Sequence, residues 1–272
     1  MADYENMAIQ EVQRLARQGD GDALYEMAWR TELMPPEDRN DPIESCAWQD
    51  YWFERAAATG HIDARSRYAR SLKDRIMNAE DRQKALGLFE GLVADFDAGR
   101  LSKDQEIDGI ISKLWLGVML CEGFYTRRDA IRGAKLIKEA HSLTNGFEGF
   151  GYKVLSKLGE LFESGFAQPS DDHSLSDLEK AVEYKETAIR RFNPERDDPN
   201  NRGYLQIEIN MLENTKKMLA NAKDGFIEEL SDEYKRERRE RLMKISDAAA
   251  QRLMADKDAL ARLRQRSARE GW

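Results

Sequence analysis

Residues 52–69 read Trp52-Phe53-Glu54-Arg55-Ala56-Ala57-Ala58-Thr59-Gly60-His61-Ile62-Asp63-Ala64-Arg65-Ser66-Arg67-Tyr68-Ala69. A large aromatic residue, Trp52, is followed four positions later by a small one, Ala56. Thr59-Gly60 then interrupts the pattern, and a second stretch opens in which Ala64 is followed by Tyr68-Ala69. Residues three and four apart share a helical face, so each half predicts a helix whose buried face mixes bulky and small side chains. The small residue lets a second helix approach, and the bulky one fills the groove beside it. The stretch therefore reads as the end of one helix, a glycine turn, and the start of the next.

The pattern recurs. The first helix type is seen as Ala23…Met27-Ala28, Ala64…Tyr68-Ala69, Ser112…Leu116-Gly117 and Val154…Leu158-Gly159, in steps of 41, 48 and 42 residues. Four residues after the larger apolar residue stands Leu72, Leu120 or Phe162 in the last three copies, whereas the first copy has Thr31 there. The second helix type is seen as Trp52…Ala56, Leu88…Leu92, Leu136…Ala140 and Tyr184…Ala188. Repetition at this period is the signature of stacked supersecondary units. Runs of alternating β-branched residues are absent, and turn signals come at short intervals: Gly19-Asp20-Gly21, Pro35-Pro36, Ala98-Gly99, Asn145-Gly146 and Asn193-Pro194. The expectation is an all-α fold, an α-solenoid of antiparallel helix pairs.

These residues resemble the SEL-one-like repeat (SLR) family, a branch of the tetratricopeptide superfamily. The best matches are Trp52 to Gly60 and Leu158-Gly159-Glu160-Leu161-Phe162-Glu163-Ser164-Gly165, with Lys180 to Tyr184 similar to the start of the family's second helix and Cys121-Glu122-Gly123-Phe124 similar in the third copy. The resemblance covers roughly residues 20–192. It implies a right-handed superhelix and protein binding as the function class, and it names no partner. Extracellular members pair cysteines within each repeat. This chain lacks that pattern, which points to the cytoplasm.

The predicted organisation is an N-terminal cap helix in residues 1–20, four helix pairs in 21–192, a linker with a capping helix or degenerate repeat in 193–224, and a charged helical extension in 225–272. Met7, Val12, Leu15 and Ala16 mark the cap helix; Tyr204, Ile207, Met211, Leu212, Met218 and Leu219 mark the later one. The extension carries a net charge of +2, against −10 for residues 1–224. Its apolar stripe runs through Ile227, Leu230, Tyr234, Leu242, Ile245, Ala249, Leu253, Leu260 and Leu263, and it contains the mixed-charge run Lys235 to Arg241. At ~1.5 Å per residue, a 40-residue helix would span ~60 Å. Three fates are open to the extension: projecting, closing on the groove as a lid, or joining two chains through residues 226–270.

Composition narrows the function classes. The chain has 272 residues and a net charge of −8, which argues against broad phosphate contact and hence against nucleic acid as a partner. No apolar run approaches the ~20 residues of a membrane helix. Met1 to Gln10 carries Asp3 and Glu5 and no basic residue, so no secretory signal is expected there. Cys46 and Cys121 are far apart and read as small buried hydrophobes in a reducing compartment. His61, His141 and His173 lack ligand spacing, so no metal or other cofactor is expected. Gly146-Phe147-Glu148-Gly149-Phe150-Gly151 has no preceding strand and no following Lys-Ser or Lys-Thr, so it reads as a turn between helices. No catalytic constellation stands out, and the reading is non-enzymatic.

If the helix pairs follow tetratricopeptide geometry, the first helices line the concave wall. The candidate protein-binding residues are then Tyr25, Trp29, Arg70, Lys73, Leu114, Val118, Lys153 and Glu160. An aromatic end, a basic middle and an apolar patch suit a peptide or helix from a partner protein. The function expected is an adaptor or scaffold. An inhibitor or immunity-type protein blocking a cognate target, or a self-associating structural protein, is the alternative.

Overall fold

The computed structural model describes residue 4 and residues 7–34, 36–75, 78–123, 127–143, 151–164, 175–197, 202–223, 255 and 257–269. Every regular element among them is helical. The helices are α1 (Ile9–Arg17), α2 (Gly21–Met27), α3 (Pro42–Ala58), α4 (Ile62–Asp74), α5 (Ala79–Asp97), α6 (Glu106–Glu122), α7 (Ala130–Leu143), α8 (Gly151–Glu163), α9 (Leu175–Arg191), the single turn α10 (Pro194–Asp197) and α11 (Tyr204–Lys223). A twelfth, α12, spans residues 257–269. The first-type motifs fall on α2, α4, α6 and α8, and the second-type motifs on α3, α5, α7 and α9. The apolar positions from Ile227 to Leu253 and the run Lys235 to Arg241 lie outside the described residues.

The chain forms two compact units. One comprises residues 1–108 with 244–272, and the other residues 109–243. In the first unit, each of α1 to α4 packs on the helix that follows it in sequence, as short connections between helices require. The turns carry the mechanism. α3 ends at Gly60 with φ 95°: the Gly60 N–H donates to Ala57 O at 3.0 Å and the His61 N–H to Ala56 O at 3.3 Å. This is a Schellman ending, and it needs a residue that tolerates positive φ. His61 then caps the next helix, its Nδ1 accepting from the Ala64 N–H at 3.2 Å. Gly19 and Asp20 repeat the arrangement between α1 and α2, with Asp20 Oδ1 accepting from the Ala23 N–H at 2.8 Å. In both turns one helix is finished and the next begun without a spare residue.

The first pair departs from the others, as Thr31 foreshadows. α2 stops at Met27, and the chain passes through a 3-10 turn at Thr31–Leu33 before α3 starts at Pro42, capped by Asp41. Trp48 braces this irregular connection by donating its indole N–H to Met27 O at 2.9 Å in the interior.

Small residues set how closely the helices pack. Ala28, Ala69, Ala56, Ala140 and Ala188 are fully buried. In the second unit, α6 and α7 meet glycine to glycine. A Cβ placed on Gly117 would lie 2.7 Å from Gly133 O and 2.5 Å from Ile137 Cγ1, and one on Gly133 would lie 2.6 Å from Gly117 O. At the α8–α9 contact, Gly159 leaves room for the stem of Lys185, whose Cγ would stand 2.6 Å from a Cβ there. Lys185 is 1% exposed, and its ammonium donates to Glu163 and, at 2.8 Å, to Thr215 Oγ1. Thr215 completes the buried triangle by donating to Glu163 Oε2 at 2.7 Å, which ties α11 to α8 and α9. A charge removed from water this completely is tolerated only when paired and hydrogen-bonded. Beside it, Ser156 donates to Glu208 at 2.9 Å, and burial pushes the Glu208 carboxyl up.

The end of the chain returns to the first unit. α12 lies against α3: Arg262 ion-pairs with Glu44, Arg264 Nη2 stands 3.0 Å from Glu54 Oε2, and the Tyr51 and Ser267 hydroxyls share a hydrogen bond. Ala259 is fully buried in this seam, and a cavity of about 150 Å³ remains between Trp48, Leu263 and Met34. Among the described residues, the extension therefore docks on a second-type helix of its own chain. Glu54 also accepts from Lys84 Nζ at 2.5 Å. Burial pushes the Glu54 carboxyl up, but the hydrogen bonds from Lys84 and Arg264 outweigh it and hold the group below the usual carboxylate range.

Two outcomes are expected. Gly117→Ala should destabilise the protein by about 1–3 kcal/mol because backbone stands in the way. Gly87→Ala, on exposed α5 surface with nothing within 4 Å of a new Cβ, should stabilise it by about 0.5–1 kcal/mol; urea unfolding of both variants checks the pair. The second outcome concerns pH. Because folding lowers the Glu54 pKa, its contribution is complete above the unfolded value and is lost as the pH falls through the folded one. Hydrogen exchange in residues 257–269, corrected for the intrinsic pH dependence, should accelerate once the pH falls below the usual carboxylate range, and Glu54→Gln should show faster exchange already at neutral pH.

Candidate protein-interaction surface

Tyr25 lies in the last turn of α2 and Trp29 in the turn just beyond it, and their rings meet edge to face. The Tyr25 ring stacks on the His61 imidazole, with centroids 4.6 Å apart at 15°, and lies 5.6 Å from Phe53. Trp29 meets Phe53 edge to face at 5.5 Å and Tyr25 at 6.1 Å. Arg67 closes the cluster from α4. Its guanidinium carbon stands 4.7 Å from the Trp29 ring centroid, and its Nε donates to Tyr25 Oη at 2.9 Å. Three helices thus supply one aromatic cluster, and Trp29 remains 40% exposed at its edge.

His61 fixes the cluster to the fold. Its Nδ1 accepts the capping hydrogen bond, so the ring proton sits on Nε2, which faces Asp22 Oδ1 at 3.3 Å. The imidazole is held from both sides, and the Tyr25 ring rests on a fixed surface.

The face continues along α4 to Arg70, three residues beyond Arg67. Arg70 is half-buried, and its Nε donates weakly to Ser66 O at 3.4 Å. Burial, followed by repulsion from Arg67, lowers the Arg70 pKa below the usual arginine value; the group remains charged at any physiological pH. Asp108, at the start of α6, feels both arginines, yet burial pushes its carboxyl up, with Asp63 adding to the effect. The surface offers aromatic faces and guanidinium donors, which is chemistry for recognition.

Tyr25, Trp29 and Arg70 therefore gather on one surface of the first unit. Lys73 lies on α4 but is buried and ion-paired with Asp74. Lys153 and Glu160 sit on α8 in the other unit. Lys153 is exposed, its ammonium 5.8 Å from the Tyr152 ring centroid, and Glu160 pairs with Lys157 at 2.6 Å. Two expectations are corrected. Leu114 and Val118, expected to form an apolar patch on the groove, are 1% and 6% exposed, so they are core residues of α6 and offer a partner nothing to touch. Cys46, expected to be buried, is exposed on α3. Cys121 is buried as expected, and burial pushes its thiol up to about 12, which leaves it inert.

His61 and Arg67 belong to the surface, Phe53 is buried beneath it, and none of the three was among the residues singled out from sequence. Arg67 carried a usable signal, since it lies on the same helical face as Arg70 and Asp63. His61 carried none, because a residue that caps a helix and also supports a ring across a turn has no motif. Burial, together with Arg191, lowers the pKa of His141. His173 and the loop from Gly146 to Phe150 lie outside the described residues. Among the described residues, no group of three or more His, Cys, Asp or Glu side chains is arranged to hold a metal ion, and no helix is long and apolar enough to cross a membrane.

No protein-family model matches the chain, and no curated protein matches it. Among solved structures, it is similar to a protective antigen present in uropathogenic Escherichia coli strains that displays an SLR fold. The identity is 17% and the TM-score 0.48, with 94% of this chain covered. The chain spans 43% of that protein's length.

Proposed function

We propose that this chain is a non-enzymatic interaction scaffold of the cytoplasm, with four helix pairs between residues 21 and 192 as its frame and residues 1–20 and 193–224 as its caps. It binds a partner protein through the surface formed by Tyr25, Trp29, Arg67 and Arg70, and the partner contributes a peptide or helix. The observation that carries this reading is the half-exposed Trp29, held rigidly by Phe53, Tyr25 and Arg67. Tryptophan, tyrosine and arginine dominate the binding energy of protein interfaces, because they bring large area with few rotamers to lose. A pre-organised cluster of this kind binds with little rearrangement. Lys153 and Glu160 on α8 are a separate candidate contact on the second unit in this reading.

The experiment compares full-length wild type with Trp29→Ala as bait in native lysate, quantified by mass spectrometry, with both baits shown to be folded by circular dichroism and thermal melting. A partner held by wild type should fall by about tenfold or more on the variant, the scale of an interfacial tryptophan anchor. Equal retention of every partner by the two baits would overturn the reading.

A further inference from the structure

We infer that the segment recognised by the Trp29 surface is acidic, with Asp or Glu side chains beside an aliphatic or aromatic one; this rests on the proposed function of that surface. The chain as a whole has a net charge of −8, yet α4 carries Arg65, Arg67, Arg70 and Lys73 against Asp63 and Asp74. Two of those four cations are neutralised within the fold. Arg65 Nη1 stands 2.7 Å from Asp95 Oδ2, and Lys73 pairs with Asp74. Arg67 and Arg70 have no carboxylate within ion-pair distance among the described residues: Arg67 contacts Tyr25 and the Trp29 ring, and Arg70 contacts only the Ser66 carbonyl.

The two cations repel one another, and Arg70 is in addition partly withdrawn from water. Asp108 is close enough to act on both electrostatically, and Asp74 on Arg70, without either pairing with them. Arginines lying one helical turn apart, about 4.5 Å of axial rise, present two planar sets of donors to carboxylates of similar spacing. An acidic side chain placed there gains charge-assisted hydrogen bonds and relieves the mutual repulsion of the arginines. The neighbouring Trp29 ring takes the apolar side chain of the same segment. A continuous polyanion suits the site less well. Only two cations are available, too few for the run of phosphate contacts that a nucleic-acid backbone requires.

The test pans a phage-displayed library of random 12-residue peptides against the immobilised full-length protein. Enriched sequences are then synthesised with a fluorescein label and titrated by anisotropy. The expected binders carry Asp or Glu next to an apolar residue. Arg67→Gln and Arg70→Gln should each weaken them by about tenfold, the scale of one lost charge-assisted contact, while Arg67→Lys and Arg70→Lys, which keep the charge but lose the planar donors, should fall between wild type and the glutamine variants. Binders that are neutral or basic and are lost on Trp29→Ala would overturn the acidic assignment and leave the surface itself standing. Acidic binders indifferent to both glutamine variants would also overturn it. Peptides indifferent to all three positions, or no enrichment at all, would overturn both the assignment and the surface. A labelled single-stranded oligonucleotide that binds more tightly than any peptide and is released by Arg67→Gln would replace the acidic peptide with phosphate.

Discussion

Helices in this protein approach one another until backbone meets backbone, and the remaining features depend on that distance. At Gly117 and Gly133 the carbonyl of each residue occupies the space a Cβ on the other would need. Elsewhere alanines at Ala28, Ala56, Ala69, Ala140 and Ala188 do the same work with a methyl group of clearance. Close approach raises the number of dispersion contacts each bulky neighbour makes, because a gap of even half an ångström forfeits much of the attraction. It also fixes the axial position of each helix against the next, since a small residue slid by one turn would bring a larger one into the contact. Register, and with it the direction in which each helix presents its outward residues, follows from where the small residues stand.

Turn chemistry carries that register from one helix to the next. In the Gly60-His61 link the glycine permits the left-handed conformation that ends α3, and the histidine begins α4 at once. The same histidine then supports the Tyr25 ring. The recognition surface is thus an extension of a structural turn. Its rigidity comes from hydrogen bonds the backbone would require in any case, which is why an exposed tryptophan can be held in place without being buried.

Charge is handled differently inside and outside. Lys185, Glu163 and Thr215 form a closed set in which each polar group is answered by another, and the set locks α11 to its neighbours. α12 is secured to α3 largely by exposed pairs, Arg262 with Glu44 and Arg264 with Glu54. Exposed pairs contribute at most about 1 kcal/mol each, so the seam also relies on the burial of Ala259. Arg67 and Arg70 follow neither pattern. They are cations on a helix whose other two cations, Arg65 and Lys73, are paired, and this distinguishes them from ordinary surface arginines.

The sequence by itself determined the helix pairs. Bulky and small residues at spacings of three and four, interrupted by Thr59-Gly60 and Gly19-Asp20, place eight motifs on eight helices, because helical periodicity and the conformational demand on a turn glycine are local properties of the chain. It also marked Tyr25, Trp29 and Arg70 as surface candidates. It could not tell Trp29 from Leu114, since both satisfy the same periodicity and burial depends on what a neighbouring helix covers. Nor could it show that Arg67 reaches Trp29, that His61 lies beneath Tyr25, or that residues 257–269 return to α3 across more than 200 positions of sequence. Those are contacts between elements. The tertiary structure alone decided them, because they depend on how closely and at what rotation the helices pack.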